Sequence, residues 1–231
     1  MHSLRLIARL LEYPDTALWE ARDEVLEALA PYRTLNDFAA TLMHTDLLDA
    51  QAAYVDTFEY GRSTSLLLFE HVYGESRERG QAMVDLRETY SRAGWSVQTK
   101  ELPDYLPLYL EYLSTLTGEE AKEKLGQFET VLSKLSARLH HRGSPYAVLF
   151  DALLAFCGKQ AASAAEVADE LPDNTPTALD AVWQEAEVRF GDSSPCEAGA
   201  PAPRTDTVQL HRRRTTSASL KGASLPSSMG Q

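Results

Sequence analysis

The feature that most constrains the fold is an apolar run over residues 66–73, LLLFEHVY, which is followed directly by Gly74. A helix built from this run would be apolar on nearly every side, and such a helix must lie inside a bundle rather than on a surface. Thr64 or Ser65 can cap its start, and Gly74 can end it. The run therefore predicts a buried helix and a helical neighbourhood around it.

Helical periodicity also continues on both sides of this run. Met83, Leu86 and Tyr90 fall on one stripe of a second helix that begins near Ser76, and Gly94 is suited to end it. Further helices are predicted over about 4–13, 15–31, 35–43, 46–58, 104–115, 128–142, 145–159, 161–171 and 175–190. Residues 95–100 read as a short extended connector. The pattern predicts an all-α, single-domain bundle of about ten helices over residues 1–190.

The chain changes character at Gly191. Residues 191–231 are rich in Ser, Thr, Pro, Ala and Gly and carry no sustained apolar period. Such a segment cannot bury enough surface to offset its ordering entropy. We therefore predict a disordered C-terminal tail and infer no function from it.

The charge balance excludes some classes of partner. The chain has 22 Lys and Arg against 34 Asp and Glu, a net charge of −12. Residues 1–203 carry 17 of those bases and 33 of the acids, a net charge of −16. Such a body repels nucleic acid and attracts basic peptides. No apolar run approaches the roughly 20 residues that span a membrane, and no secretory signal is visible, so a cytoplasmic protein is predicted.

A charged cluster lies between the apolar parts of the two central helices. Its members are Glu70, His71, Glu75, Arg77, Glu78, Arg79 and Asp85. One interpretation is a metal or acid–base site, because His71 and Glu75 are four residues apart and both can ligate metal. The other is a salt-bridged helical corner. No Gly-rich phosphate loop, HExxH or CxxC spacing is present, and no bound cofactor is predicted.

A second informative stretch, ELPDYLPLYLEYL, covers residues 101–113. One face of the helix it predicts is a core stripe, and the other carries Tyr105, Leu108 and Tyr112 at helical spacing. An aromatic face suits a ligand, since tyrosine combines a large apolar ring with a polar tip. The alternative is that neighbouring helices bury both faces.

The run FEHVYGESRERGQAMVDL, residues 69–86, resembles the signature block of the NarJ/NarW chaperones, in the wider TorD/DmsD/NarJ group of redox-enzyme maturation proteins. A motif of that group is matched by Glu101, Pro103, Asp104, Leu110 and Glu111, but Tyr105 stands where the group often has His. LLEYPD at residues 10–15 and TPTALDAVWQE at 175–185 extend the resemblance over about residues 4–190.

This resemblance implies a non-enzymatic assembly chaperone. Such a protein binds the N-terminal leader of the apo catalytic subunit of respiratory nitrate reductase, holds it until the molybdenum cofactor is inserted, and is not part of the final enzyme. We predict a basic amphipathic leader in a groove, contacting Glu70, His71, Tyr73, Glu75, Glu78, Asp104, Tyr105, Leu108, Glu111 and Tyr112. A helical enzyme or metal carrier using His71 and Glu75, and an adaptor for a folded partner, are the competing hypotheses.

Overall fold

The computed structural model describes residues 2–95, 101–160 and 163–183, and these residues form an all-helical fold. The prediction of an all-α protein is confirmed: twelve α-helices and one 3-10 helix, with no strand, make up the described ranges. The α-helices are α1 (His2–Leu11), α2 (Thr16–Glu20), α3 (Arg22–Leu29), α4 (Arg33–Leu42), α5 (Leu47–Phe58), α6 (Leu68–Tyr73), α7 (Glu78–Arg92), α8 (Leu106–Leu113), α9 (Gly118–Gly126), α10 (Glu129–His141), α11 (Ala147–Phe156) and α12 (Pro176–Trp183), with the 3-10 helix at Ala164–Val167. The predicted tail, 191–231, and the connector beyond Trp95 lie outside the described residues.

Local signals set most helix boundaries where the sequence predicts them. The Asp15 carboxylate accepts a hydrogen bond from the Leu18 amide at 2.8 Å and so caps α2, and Asp46 caps α5 in the same way. Gly74 ends α6 with φ of 56°, a conformation that glycine adopts without steric cost. Pro176 occupies the first position of α12.

Three parts of the helix pattern differ from the prediction. Residues 163–171, the described part of the helix predicted over 161–171, form only the short 3-10 helix Ala164–Val167. The segment predicted as one helix over 15–31 divides at Ala21, whose ψ of 10° leaves the helical range between α2 and α3. The short helix α9 is absent from the prediction, which places only a break at Thr117 and Gly118. Thr117 and Glu120 in fact form a capping box that starts α9, with the Thr117 hydroxyl accepting from the Glu120 amide at 3.3 Å.

The start of α6 is built by a distant part of the chain, and the predicted cap at Thr64 or Ser65 is wrong. Leu67 is extended and bridges to Tyr105, and the Leu106 amide donates to the Leu66 carbonyl at 2.8 Å. The buried Asp104 carboxylate accepts from the Phe69 amide at 3.0 Å and thereby caps α6. The two most informative stretches of the sequence therefore meet at one junction.

The core lies between the N-terminal helices and α8, α10 and α11, with α1 packed along α8 and α10 along α11. Its aromatic centre includes Phe58 and Tyr146, whose ring centroids lie 4.9 Å apart in an edge-to-face arrangement. Tyr54 packs beside them, and its hydroxyl donates to the Leu11 carbonyl at 2.9 Å. None of the helices in the ranges given above is long and apolar enough to cross a membrane.

A polar cluster fastens the segment before α12 to the loop before α6. The Asp173 carboxylate accepts hydrogen bonds from the Ser63 amide and hydroxyl, both at 2.7 Å, and from Arg142 at 2.6 Å. Burial raises the pKa of Asp173, but the Ser63 and Arg142 bonds outweigh it and hold that pKa below its usual range. Asp173 is therefore ionised at neutral pH. We call Ser63, Arg142 and Asp173 the Asp173 latch.

Gly61 makes this latch sterically possible. A Cβ at residue 61 would lie 2.4 Å from the Asp173 Oδ1 atom. Gly61→Ala is expected to lower the free energy of unfolding by about 2 kcal/mol, because overpacking of this kind costs about 1–3 kcal/mol. Gly80→Ala is the control, since its Cβ meets no atom within 4 Å and α7 should gain about 0.5–1 kcal/mol. Urea denaturation of both variants measures the difference, and equal midpoints would contradict the close contact.

Candidate functional site

A groove of about 690 Å³ opens between the end of α5, the loop that leads to α6, the start of α8 and α12. We call it the first groove. Aromatic, aliphatic and acidic side chains share its walls. Its lining residues are Tyr13, Tyr54, Phe58, Glu59, Tyr60, Gly61, Arg62, Ser65, Leu66, Leu67, Glu70, Glu101, Tyr105, Asp173 and Leu179.

Three tyrosines form a connected wall of the first groove. The Tyr13 ring packs edge-to-face on Tyr54 with 5.5 Å between ring centroids, and the Tyr54 and Tyr105 hydroxyls lie 3.1 Å apart. Burial raises the pKa of Tyr105 to about 12, despite the opposing hydrogen bond with Tyr54. Burial raises the pKa of Tyr54 as well, so the Tyr54 and Tyr105 hydroxyls stay protonated at physiological pH.

The rim of the first groove is acidic and aromatic. Tyr13 and Tyr60 expose 45% and 51% of their surface, so both rings are accessible to a ligand. Glu59 and Glu101 form no ion pair with any residue in the described ranges. Glu70 is engaged, since its Oε1 lies 3.4 Å from the Arg79 guanidinium. A ligand that carries positive charge would find two carboxylates that no described residue pairs with.

The structure divides the sequence-predicted site residues among several places. Glu70 and Tyr105 line the first groove. Tyr73 and Tyr112 line a second groove of about 400 Å³ bordered by α6, α7, α8 and the end of α9. Glu75, Glu78, Leu108 and Glu111 are exposed or half-buried and line neither groove, and Asp104 is buried. The ten residues therefore do not line one groove.

Two of these residues are less accessible than the sequence suggests. The expectation of an exposed aromatic face on α8 is wrong at Tyr112, which is 4% exposed and packs 5.0 Å from the Tyr90 ring. Asp104 is 0% exposed because it caps α6. At Tyr112, α8 is therefore packed against a neighbouring helix, as the alternative interpretation predicts.

His71 and Glu75 have different partners, which leaves the metal hypothesis without a geometric basis. The His71 Nε2 atom lies 2.8 Å from the Ser65 carbonyl, and burial lowers the His71 pKa. Glu75 instead forms an ion pair with Arg62 at 2.7 Å. Across residues 2–95, 101–160 and 163–183, no group of three or more His, Cys, Asp or Glu side chains is placed to hold a metal ion.

Sequence reasoning missed Tyr13, Glu59, Tyr60 and Glu101. The first three lie at or beyond helix ends, where apolar periodicity carries no information. Their one visible signal is composition, because an aromatic and an acidic residue are adjacent at 12–13 and again at 59–60. Only the fold brings these positions together around one groove.

A known crystal structure shares this fold. The crystal structure of an Archaeoglobus fulgidus protein assigned as a redox-enzyme maturation protein matches with a TM-score of 0.53, covering 69% of this chain and 94% of the other at 22% identity. That similarity concerns the fold alone.

Sequence comparison identifies the family. The family model described as nitrate reductase delta subunit matches residues 22–152. The nitrate reductase molybdenum cofactor assembly chaperone NarJ of Escherichia coli K12 is 48% identical, with 93% of this chain and 92% of NarJ covered. NarW of the same organism is also 48% identical over the same shares. The chain belongs to this NarJ/NarW family of assembly chaperones, and it is not a catalytic enzyme.

Proposed function

We propose that this protein is the dedicated assembly chaperone of a respiratory nitrate reductase and acts in the cytoplasm. It binds the N-terminal leader of the apo catalytic subunit, keeps that subunit competent for molybdenum cofactor insertion, and leaves before the enzyme is complete. The family membership supports the chaperone role and the kind of client. The first groove supports recognition of a leader segment.

The observation that carries the leader proposal is the combination of surfaces in the first groove. Tyrosine rings and the aliphatic side chains of Leu66 and Leu67 provide an apolar wall, and acidic residues stand at its rim. A basic amphipathic helix has the complementary pattern, with an apolar stripe beside positive charges. The apolar contacts would supply most of the affinity, and the charges would speed the encounter and select basic leaders.

The structure changes the set of residues assigned to this contact. Glu70 and Tyr105 stay in the proposed site because they line the first groove. To them we add residues that the sequence did not single out: Tyr13, Glu59, Tyr60 and Glu101. Contacts of the leader with His71, Tyr73, Glu75, Glu78, Leu108 and Glu111 remain predictions.

Calorimetric titration with a synthetic leader peptide of about 15–30 residues tests the proposal directly. We expect one-to-one binding that weakens as salt is added and persists at high salt, because screening removes only the charge contribution. A folded protein that binds no leader peptide would place recognition elsewhere on the apo-subunit.

A matched pair of variants tests the acidic rim in the same titration. The double variant Glu59→Gln/Glu101→Gln is expected to weaken leader binding about fivefold and to flatten its salt dependence, since each exposed charge pair contributes about 0.2–1 kcal/mol. Glu24→Gln/Glu27→Gln is the control, because it removes the same number of charges from α3, where both residues are exposed and line neither groove. An equal loss in both variants would show that overall charge, rather than the rim, attracts the leader.

A further inference from the structure

Polar contacts just before helix α12, rather than apolar packing of the helix, attach it to the rest of the molecule. None of its side chains over residues 176–181 is buried, so apolar packing there gives it little hold on the body. The chain just before it is fastened by polar contacts instead. Asp173, three residues before the helix, closes the Asp173 latch with three hydrogen bonds.

A second polar contact holds the same segment, three residues before Asp173. Glu170 accepts two hydrogen bonds from the Arg138 guanidinium, at 2.6 and 3.0 Å, in the bidentate geometry that makes such pairs strong. The third Arg138 bond goes to the Ser63 carbonyl at 2.7 Å. Asp173 therefore binds the short loop before α6 directly, and Glu170 is linked to the same loop through Arg138.

Because of this attachment, α12 reaches the first groove. Leu179, half-buried, lines the groove together with Asp173 of the latch. An apolar side chain from a short helix thus forms part of the wall of the groove into which a helical leader would place its own apolar side chains. With α12 in this position the groove is narrower than it would be without the helix.

We propose that α12 is an internal lid on the first groove, which the latch holds closed and the leader displaces. This inference rests on the proposed leader-binding function and adds its regulation. A leader that needs the whole groove binds only molecules whose lid is open, so its apparent dissociation constant equals the intrinsic constant divided by the open fraction. Weakening the latch raises that fraction and tightens binding.

Titration of four full-length proteins with the leader peptide tests the lid. Asp173→Asn removes the charge that Arg142 contacts and is expected to tighten binding about fivefold to tenfold. Leu179→Ala leaves the latch intact, reduces the competing contact and should tighten binding about twofold to threefold. Asp169→Asn is the matched control, because Asp169 is exposed in the same segment and its side chain forms no hydrogen bond or ion pair with any described residue. This variant should bind as the wild type does.

Hydrogen exchange of the wild-type protein supplies a second readout. Amides of residues 176–183 are expected to exchange faster at saturating leader than without it, since an opened lid loses protection. Slower exchange of these amides would show that α12 forms part of the surface that binds the leader, and it would contradict the lid proposal. Asp173→Asn and Leu179→Ala variants that bind the leader no tighter than the wild type would also overturn it, while leaving the leader-binding function standing. Failure of all four proteins to bind the leader would overturn both.

Discussion

Asp104→Ala is expected to lower the free energy of unfolding by about 2 kcal/mol. The Asp104 carboxylate accepts from the Phe69 amide at 3.0 Å, and the whole residue is buried. Alanine would leave a buried helix-start amide without an acceptor, and an unsatisfied buried donor costs about 1–3 kcal/mol. The backbone bonds that join Leu68 to Asp104 and Leu66 to Leu106 depend on the same junction and limit how far it can relax.

Urea denaturation with Asp56→Ala as the control measures this effect. Asp56 is exposed near the end of α5, so its loss should change the free energy of unfolding by no more than about 0.5 kcal/mol. Asp104→Asn keeps an acceptor oxygen and should cost less than Asp104→Ala. If Asp104→Ala unfolds at the same midpoint as Asp56→Ala, the cap contributes nothing and the α6 start is held by its backbone bonds alone.

The pH dependence of the same variants checks the state of the carboxyl group. Burial raises the pKa of Asp104, against the Phe69 amide and Arg79, so the folded protein holds this proton more tightly than the unfolded chain does. The Asp104 contribution to stability is therefore fully present below the unfolded pKa and falls as pH rises through the folded pKa. The loss of unfolding free energy caused by Asp104→Asn should become smaller as pH rises from the unfolded to the folded pKa of Asp104.

Local chemistry made most of the fold predictable. Asp15, Asp46, Gly74 and Pro176 act within one helical turn of where they stand, so a single sequence carries their full meaning. The start of α6 was not predictable in this way. Its cap comes from Asp104, 35 residues later, and nothing in the order of residues distinguishes that carboxylate from one that caps its own helix.

The candidate site was predictable only in part, for the same physical reason. Tyr105 carries a signal because it precedes a helix with two apolar faces, whereas Tyr13 and Tyr60 reach the first groove only through the packing of α1 and α5. The latch is still less local, since Ser63 and Asp173 are 110 residues apart. Helical periodicity reports which face of a helix is buried, but it does not report which helix ends meet.

The difference between the two grooves also decides which tyrosines can test the function. Tyr112 is buried against Tyr90, so its removal would damage packing and lower stability before it reported on a ligand. Tyr13 and Tyr60 expose about half of their surface at the rim of the first groove and have no hydrogen bond from their hydroxyls to any described residue. Their truncation should leave the core intact and change binding alone.

Tyr13→Ala/Tyr60→Ala is therefore expected to weaken leader binding about 100-fold. Exposed aromatic anchors at a binding surface each contribute about 1–2 kcal/mol, and about 1.4 kcal/mol corresponds to a factor of ten in the dissociation constant. Tyr13 is suited to this role, because its contact with Tyr54 holds the ring in place and reduces the entropy lost on binding. Calorimetric titration with the leader peptide measures the change, mainly as faster dissociation.

Tyr32→Ala is the matched control for this experiment. Tyr32 is 40% exposed, close to the exposure of Tyr13, and it lines a different groove beside α1 and α11. A leader that recognises the first groove should bind Tyr32→Ala as tightly as the wild type and should lose affinity only when the rim tyrosines are removed. Equal weakening by Tyr32→Ala would show a diffuse preference for exposed rings, and undiminished binding by Tyr13→Ala/Tyr60→Ala in a folded protein would remove the first groove as the leader site.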